Sequence, residues 1–136
     1  MKKALLYTLP VLLLGLAAAY YMYNKPHQNI ENAHADLQVS ASELFAEFEA
    51  DETQANQKYL EKIVQVEGEI KDISTNDHGQ VSLTLKSNSD MFGVICEMDD
   101  LTEHKRTEFS VGETVSLKGI CTGMLMDVVL VRCVEI

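Results

Sequence analysis

Tryptophan is absent from these 136 residues, and four phenylalanines and five tyrosines supply all the aromatic rings. Proteins that hold single-stranded nucleic acid stack its bases on such rings inside a basic groove. The chain is poor in the first ingredient and poorer in the second. Eleven Lys and Arg stand against 21 Asp and Glu. Lys2 and Lys3 precede every acidic residue, and from Lys25 onward 9 basic residues face 21 acidic ones, a net charge of −12. A surface of that sign repels phosphate backbones and anionic headgroups.

Cysteine is scarce too. Cys96, Cys121 and Cys133 form no C-x-x-C pair, and none lies at metal-ligand spacing from a histidine, which excludes the common zinc and dithiol motifs. No cysteine follows the N-terminal apolar run, so no lipid anchor on a mature N-terminal cysteine is expected. The histidines His27, His34, His78 and His104 are scattered through polar segments and pair with no serine or cysteine in a nucleophilic arrangement. Glu97, Asp99, Asp100 and Glu103 are a carboxylate cluster of the chemistry that holds calcium, but their spacing fits no EF-hand loop and a solvated charged rim is the simpler reading. No enzyme activity, metal or cofactor is expected.

Charge is missing altogether from Ala4 to Asn24. Twenty-one helical residues rise ~31 Å, enough to cross a hydrocarbon core. Tyr20, Tyr21 and Tyr23 cluster at the far end, where an aromatic belt sits, and Lys2 and Lys3 favour a cytoplasmic N-terminus. Residues 1–24 are therefore expected to be a signal anchor, single-pass, with the C-terminal part outside the cytoplasm. The alternative is a signal peptide cleaved near Ala17 and Ala19, releasing a periplasmic or secreted protein. Residues 25–39, polar and without apolar period, are expected to be a flexible tether.

Residues 40–136 read as one domain. Ser40 and Glu43 have capping-box spacing, and Leu44, Phe45 and Phe48 follow on one helical face. Ala55 and Tyr59 extend the pattern past a break near Glu49–Glu52. After Tyr59 the apolar period drops to two. Val64, Val66, Gly68 and Ile70 mark a first strand, and Val81, Leu83 and Leu85 a second. "MFGVICEM" is a third, and a short helix is expected at 101–108. Val115, Leu117, Gly119 and Cys121 mark a fourth strand, and "DVVLVRCVEI" a fifth. The fold class is mainly β, a five-stranded Greek-key OB-fold barrel behind a helical segment. Gly68 and Gly119 fit inward positions where strands coil too tightly for a side chain.

Three stretches, "ASELFAEFEADETQANQKYLEKIVQVEGEI", "GVICEM" and "VGETVSLKGICTGMLMDVVLVRCVEI", resemble the tRNA-anti-like OB-fold family of small exported or membrane-anchored bacterial proteins. The most specific parts are Val66 and Gly68 at the helix-to-strand junction, and Gly119, Cys121, Gly123, Asp127 and Val128 in the tail. The resemblance implies the fold and brings no defined activity; the family's name records kinship with anticodon-binding domains.

In that topology the fourth and fifth strands form a hairpin, and the fifth runs parallel to the third. Cys121 then falls opposite Val128 or Val129, too far from Cys133 for a bond. Cys96 and Cys133 come level, which makes them the expected disulfide, with Cys121 a buried apolar filler. The hairpin tip "TGMLMD" places Met124, Leu125 and Met126 where charge is usual. They are read as a contact rim, with an inward plug as the alternative. The expected function is an exported, non-enzymatic OB-fold binding or interaction module for an unidentified protein or small ligand, attached to the membrane through its N-terminal helix. A nucleic-acid-binding OB protein and a thiol-active envelope protein are the alternatives.

Overall fold

The computed structural model describes residues 2–24, 29–100, 106 and 108–136. Helix α1 (Lys2–Tyr23) contains Pro10. Its side chains from Val11 to Leu16 and from Tyr20 to Tyr23 are largely exposed. Among the described residues no helix is long and apolar enough to cross a membrane.

The remainder is a closed barrel with two short helices packed on it. In order come β1 (Leu37–Ser40), α2 (Ala41–Ala50), α3 (Glu52–Tyr59), β2 (Ile63–Thr75), β3 (Val81–Lys86), β4 (Gly93–Met98), β5 (Thr114–Met124) and β6 (Val128–Glu135). The sheet runs β1-β2-β3-β4-β6-β5, and β5 returns to β2 to close five strands. Long β2 makes closure possible. Its first half pairs with β5 from Ile63↔Ile120 to Glu69↔Thr114. Its second half pairs with β3 from Ile70↔Leu85 to Thr75↔Val81, across a bulge between Ile70 and Asp72.

The helices begin where the sequence supplies caps. Ser40 accepts the Glu43 N–H through its hydroxyl at 3.2 Å, and Asp51 accepts the Gln54 N–H at 3.0 Å. Each cap satisfies an otherwise orphaned donor and is worth ~1 kcal/mol. Asp51 also ends α2, in extended backbone, so the expected break falls there. Leu44, Phe45 and Phe48 are buried against the barrel with Tyr59, whose ring stacks on Phe48 at 6.0 Å.

Gly68 and Gly119 lie on the adjacent strands β2 and β5. A Cβ on Gly68 would meet Ala41 Cβ at 2.9 Å, so Gly68 lets α2 close onto β2. A Cβ on Gly119 would run into Cys133 Sγ and meet Val131 O at 3.0 Å.

Two expectations need correction. The stretch expected as tether is not free up to residue 39. Leu37–Ser40 adds a parallel strand to β2, Asp36 bonds Ile63 through both backbone and side chain, and Ile30 is fully buried with Ile63 and Val134. The cysteine register also differs. Cys96 is level with Leu130, while Cys133 is level with Met98. Arg132, at φ 55°, inserts an extra residue into β6, so Leu130 and Cys133 both turn inward. Cys96, Cys121 and Cys133 are free thiols here, not an expected Cys96–Cys133 disulfide plus one thiol. The short helix expected at 101–108 lies largely outside the described residues.

Candidate functional site

The wall made by β2, β3 and β4 is where an OB barrel usually meets a strand of nucleic acid. Its outward positions include Asp72, Ser82, Thr84, Lys86, Ile95 and Glu97, interleaved with the buried Leu83, Leu85, Val94 and Cys96. The cations on this wall are already engaged. Lys86 is ion-paired with Glu69, and Lys71 Nζ donates to the Asp90 carbonyl at 2.6 Å. Phe92, the one ring the sequence offers here, is half-buried against the core. The wall therefore presents hydroxyls and carboxylates rather than free cations and stacked rings.

At one end of the barrel two turns meet. The 87–92 turn is held by serines: Ser87 Oγ donates to Phe92 O at 2.6 Å and accepts from Ser89 N at 3.0 Å, and Ser89 Oγ accepts from Phe92 N at 3.2 Å. The 125–127 turn is joined to it by Asp127, whose Oδ1 accepts the Gly93 N–H at 2.7 Å. Gly123, at φ 103°, turns the chain into the tip. Of the three residues expected as a rim, Met124 packs half-buried on the core. Leu125 is 95 % and Met126 64 % exposed. Met91, on the neighbouring turn, is 78 % exposed and completes an apolar rim. In sequence Met91 opens a stretch that reads as a strand; the Val94↔Val128 pairing and the Asp127–Gly93 bond bring its turn to the end of the barrel where the tip lies.

Elsewhere the candidates weaken. Between α2 and α3 lies an open notch of about 830 Å³, lined by Glu47, Asp51, Gln54 and Lys58. Lys58 is committed there, 2.8 Å from Glu47 and 4.8 Å above the Tyr59 ring. Asp99 is buried and ion-paired with Arg132. Among the described residues no three His, Cys, Asp or Glu side chains are placed to hold a metal ion; Glu103 lies outside them. His78 sits in an exposed turn whose backbone N–H donates to Asn76 Oδ1 at 3.0 Å. His27 and His104 lie outside the described residues.

All three thiols are buried, and for two of them the surroundings disfavour the thiolate. Burial raises Cys121 above its ordinary value, and the nearby Cys96 adds to that. Burial raises Cys133 further, reinforced by hydrogen-bonding contact with Cys96 and by the charges of Glu97 and Asp99. A reactive cysteine needs the opposite setting, exposed and electropositive.

The tRNA_anti-like family model matches residues 1–135. No curated protein matches the chain. Among solved structures, a candidate nucleic acid-binding lipoprotein from Klebsiella pneumoniae subsp. pneumoniae MGH 78578 shares the fold. It has a TM-score of 0.56 and 17 % identity, over 73 % of this chain and 92 % of that one.

Proposed function

We propose, from the premise that the chain belongs to the tRNA_anti-like family, that it is a non-enzymatic OB-fold binding module held at the outer side of the cytoplasmic membrane. It works by non-covalent contact made through the barrel rim. The observation that carries this reading is the contrast between wall and rim. On the wall, Lys86 and Lys71 are each tied to an acceptor, while the rim leaves Leu125, Met126 and Met91 in solvent. Exposed apolar side chains gathered at one place mark contact surfaces. An envelope location is supported by the charge-free stretch from Ala4 to Asn24 and by the lipoprotein description of the structural neighbour.

That neighbour's description also includes nucleic-acid binding, which makes an oligonucleotide the second reading. Fluorescence anisotropy with labelled oligo-dT and oligo-rU, titrated with the full chain across a salt series, separates the two. The rim reading expects no saturable binding at moderate salt. Tight binding that weakens steeply with salt would install the second reading in its place.

A further inference from the structure

We infer that the apolar rim is a lipid contact: the Leu125–Met126 tip and Met91 touch the surface of the membrane to which α1 attaches the chain. The inference rests on the anchored reading above and adds a second, peripheral contact to it.

The path of the chain carries the argument. Asp36 N donates to Ile63 O at 2.8 Å, Ile63 N donates to Asp36 Oδ2 at 2.9 Å, and Leu37 is level with Val64. The chain arriving from α1 therefore joins the barrel where β2 begins. β5 runs antiparallel to β2 with Ile120 opposite Ile63, so β5 ends beyond the start of β2, at the same end of the barrel. β6 leaves from there, and β4 runs parallel to it from Val94↔Val128, which brings the Met91 turn to that end as well. Chain entry and apolar rim share one end.

Reach agrees with this. Ile30 packs in a cluster that includes Ile63 and Ile120. Met124 lies four strand positions beyond Ile120, ~13 Å at strand rise. From Asn24 at the end of the helix to Ile30 are six Cα steps, at most ~22 Å of chain. A helix end at the membrane surface can thus be spanned with the tip touching the same surface. The opposite rim, at Asn76–Gln80, begins beyond the far end of β2, ~40 Å of strand from Ile63.

Chemistry agrees as well. Two or three exposed side chains do not hold a protein on a bilayer alone, but an anchored module meets the surface at high effective concentration, so a weak contact suffices. Asp127, beside the tip, accepts the Gly93 N–H, while Asp90, next to Met91, is exposed to solvent. The net charge of −12 from Lys25 onward points to neutral rather than anionic headgroups.

The absence of tryptophan provides the experiment. Full-length Leu125→Trp is reconstituted into phosphatidylcholine vesicles with plain or brominated acyl chains, and flotation is scored first. The expected result is protein that floats, with emission shifted to the blue and quenched by the brominated chains. His78→Trp, on the opposite turn, should float with neither change. Floating protein whose Trp at 125 stays red-shifted and unquenched overturns the inference and leaves the rim to a protein partner. Protein that does not float overturns the anchored reading, and the inference falls with it.

Discussion

The ammonium of Lys118 donates to the carbonyl of Ala33 at 2.7 Å, and also to that of Glu31 at 3.0 Å. Lys118 is only 8 % exposed, so a charged side chain of the β5 wall is spent on fastening the segment before β1. With Ile30 buried beneath it, this strap makes the chain between α1 and the barrel shorter than its composition suggests. Lys118→Met keeps the apolar stem and removes the donor, leaving two carbonyls short of a partner at a cost of ~1–3 kcal/mol. Hydrogen exchange should show faster amides at Ala33, Asp36 and Ile63 while those of β3 and β4 stay protected. Unchanged exchange at these positions would mean that Ile30 alone holds the segment.

Why the strap was illegible in sequence follows from its chemistry. Its donors and acceptors are a lysine and two backbone carbonyls more than eighty residues apart, and neither leaves a local pattern. β1 was missed for a related reason. Only Leu37 and Val39 alternate, four residues being too few to distinguish a strand from a polar loop. What was legible has local causes. Ser40 and Asp51 announce the helix starts through their own side chains, and Val64, Val66 and Ile70 announce a strand through their period. The register of β6 lay between these cases. Alternation predicts that Leu130 and Cys133 face opposite sides, and the left-handed backbone at Arg132, which cancels that, has no signature in "VRC". On the candidate site, Leu125 and Met126 stood out as apolar residues in a turn, whereas Met91 needed the Val94↔Val128 pairing and the tertiary bond between Asp127 and Gly93.

Gly119 offers a packing test. Gly119→Ala directs a methyl into Cys133 Sγ and against the Val131 carbonyl, and overpacking of this kind typically costs 1–3 kcal/mol. Cys133→Ala removes the sulfur but not the carbonyl. The double variant should therefore recover part of the loss, giving a coupling of about 0.5–3 kcal/mol in a urea-denaturation cycle. Strict additivity would show that the carbonyl, not the thiol, sets the glycine requirement.

The acid side of the stability profile should depend on Arg106. Its guanidinium makes a bidentate contact with Glu135, at 2.7 and 3.0 Å, is ion-paired with Glu113, and lies 4.5 Å over the Phe109 ring. Arg106 holds the Glu113 carboxyl below its ordinary value, with help from the Ser110 N–H. A depressed folded value means the unfolded chain binds the proton more readily. The contribution is then complete above the ordinary carboxylate range and is lost as pH falls through it. Urea midpoints measured from pH 7 to pH 3 should decline in the native chain, and Arg106→Gln should flatten part of that decline. Both groups are solvent-accessible, so added salt should shrink the difference. Parallel profiles for the two proteins would remove this ion pair from the account.

The last test concerns the thiols, and it decides whether the protein does covalent chemistry. Cys96, Cys121 and Cys133 are buried, and burial pushes Cys121 and Cys133 upward from the ordinary thiol value. At pH 8 each of these two should hold less thiolate than a free cysteine, and a reagent must wait for the barrel to open. Labelling of the reduced protein with a maleimide should be slow in buffer. It should accelerate with urea in parallel with loss of the fold, and then reach all three residues. The dependence on unfolding is what distinguishes a packed thiol from a reactive one, because a nucleophile in a working site reacts without global opening. If one cysteine, Cys121 above all, were modified within seconds while circular dichroism still reported an intact barrel, the thiol-active alternative would replace the binding module.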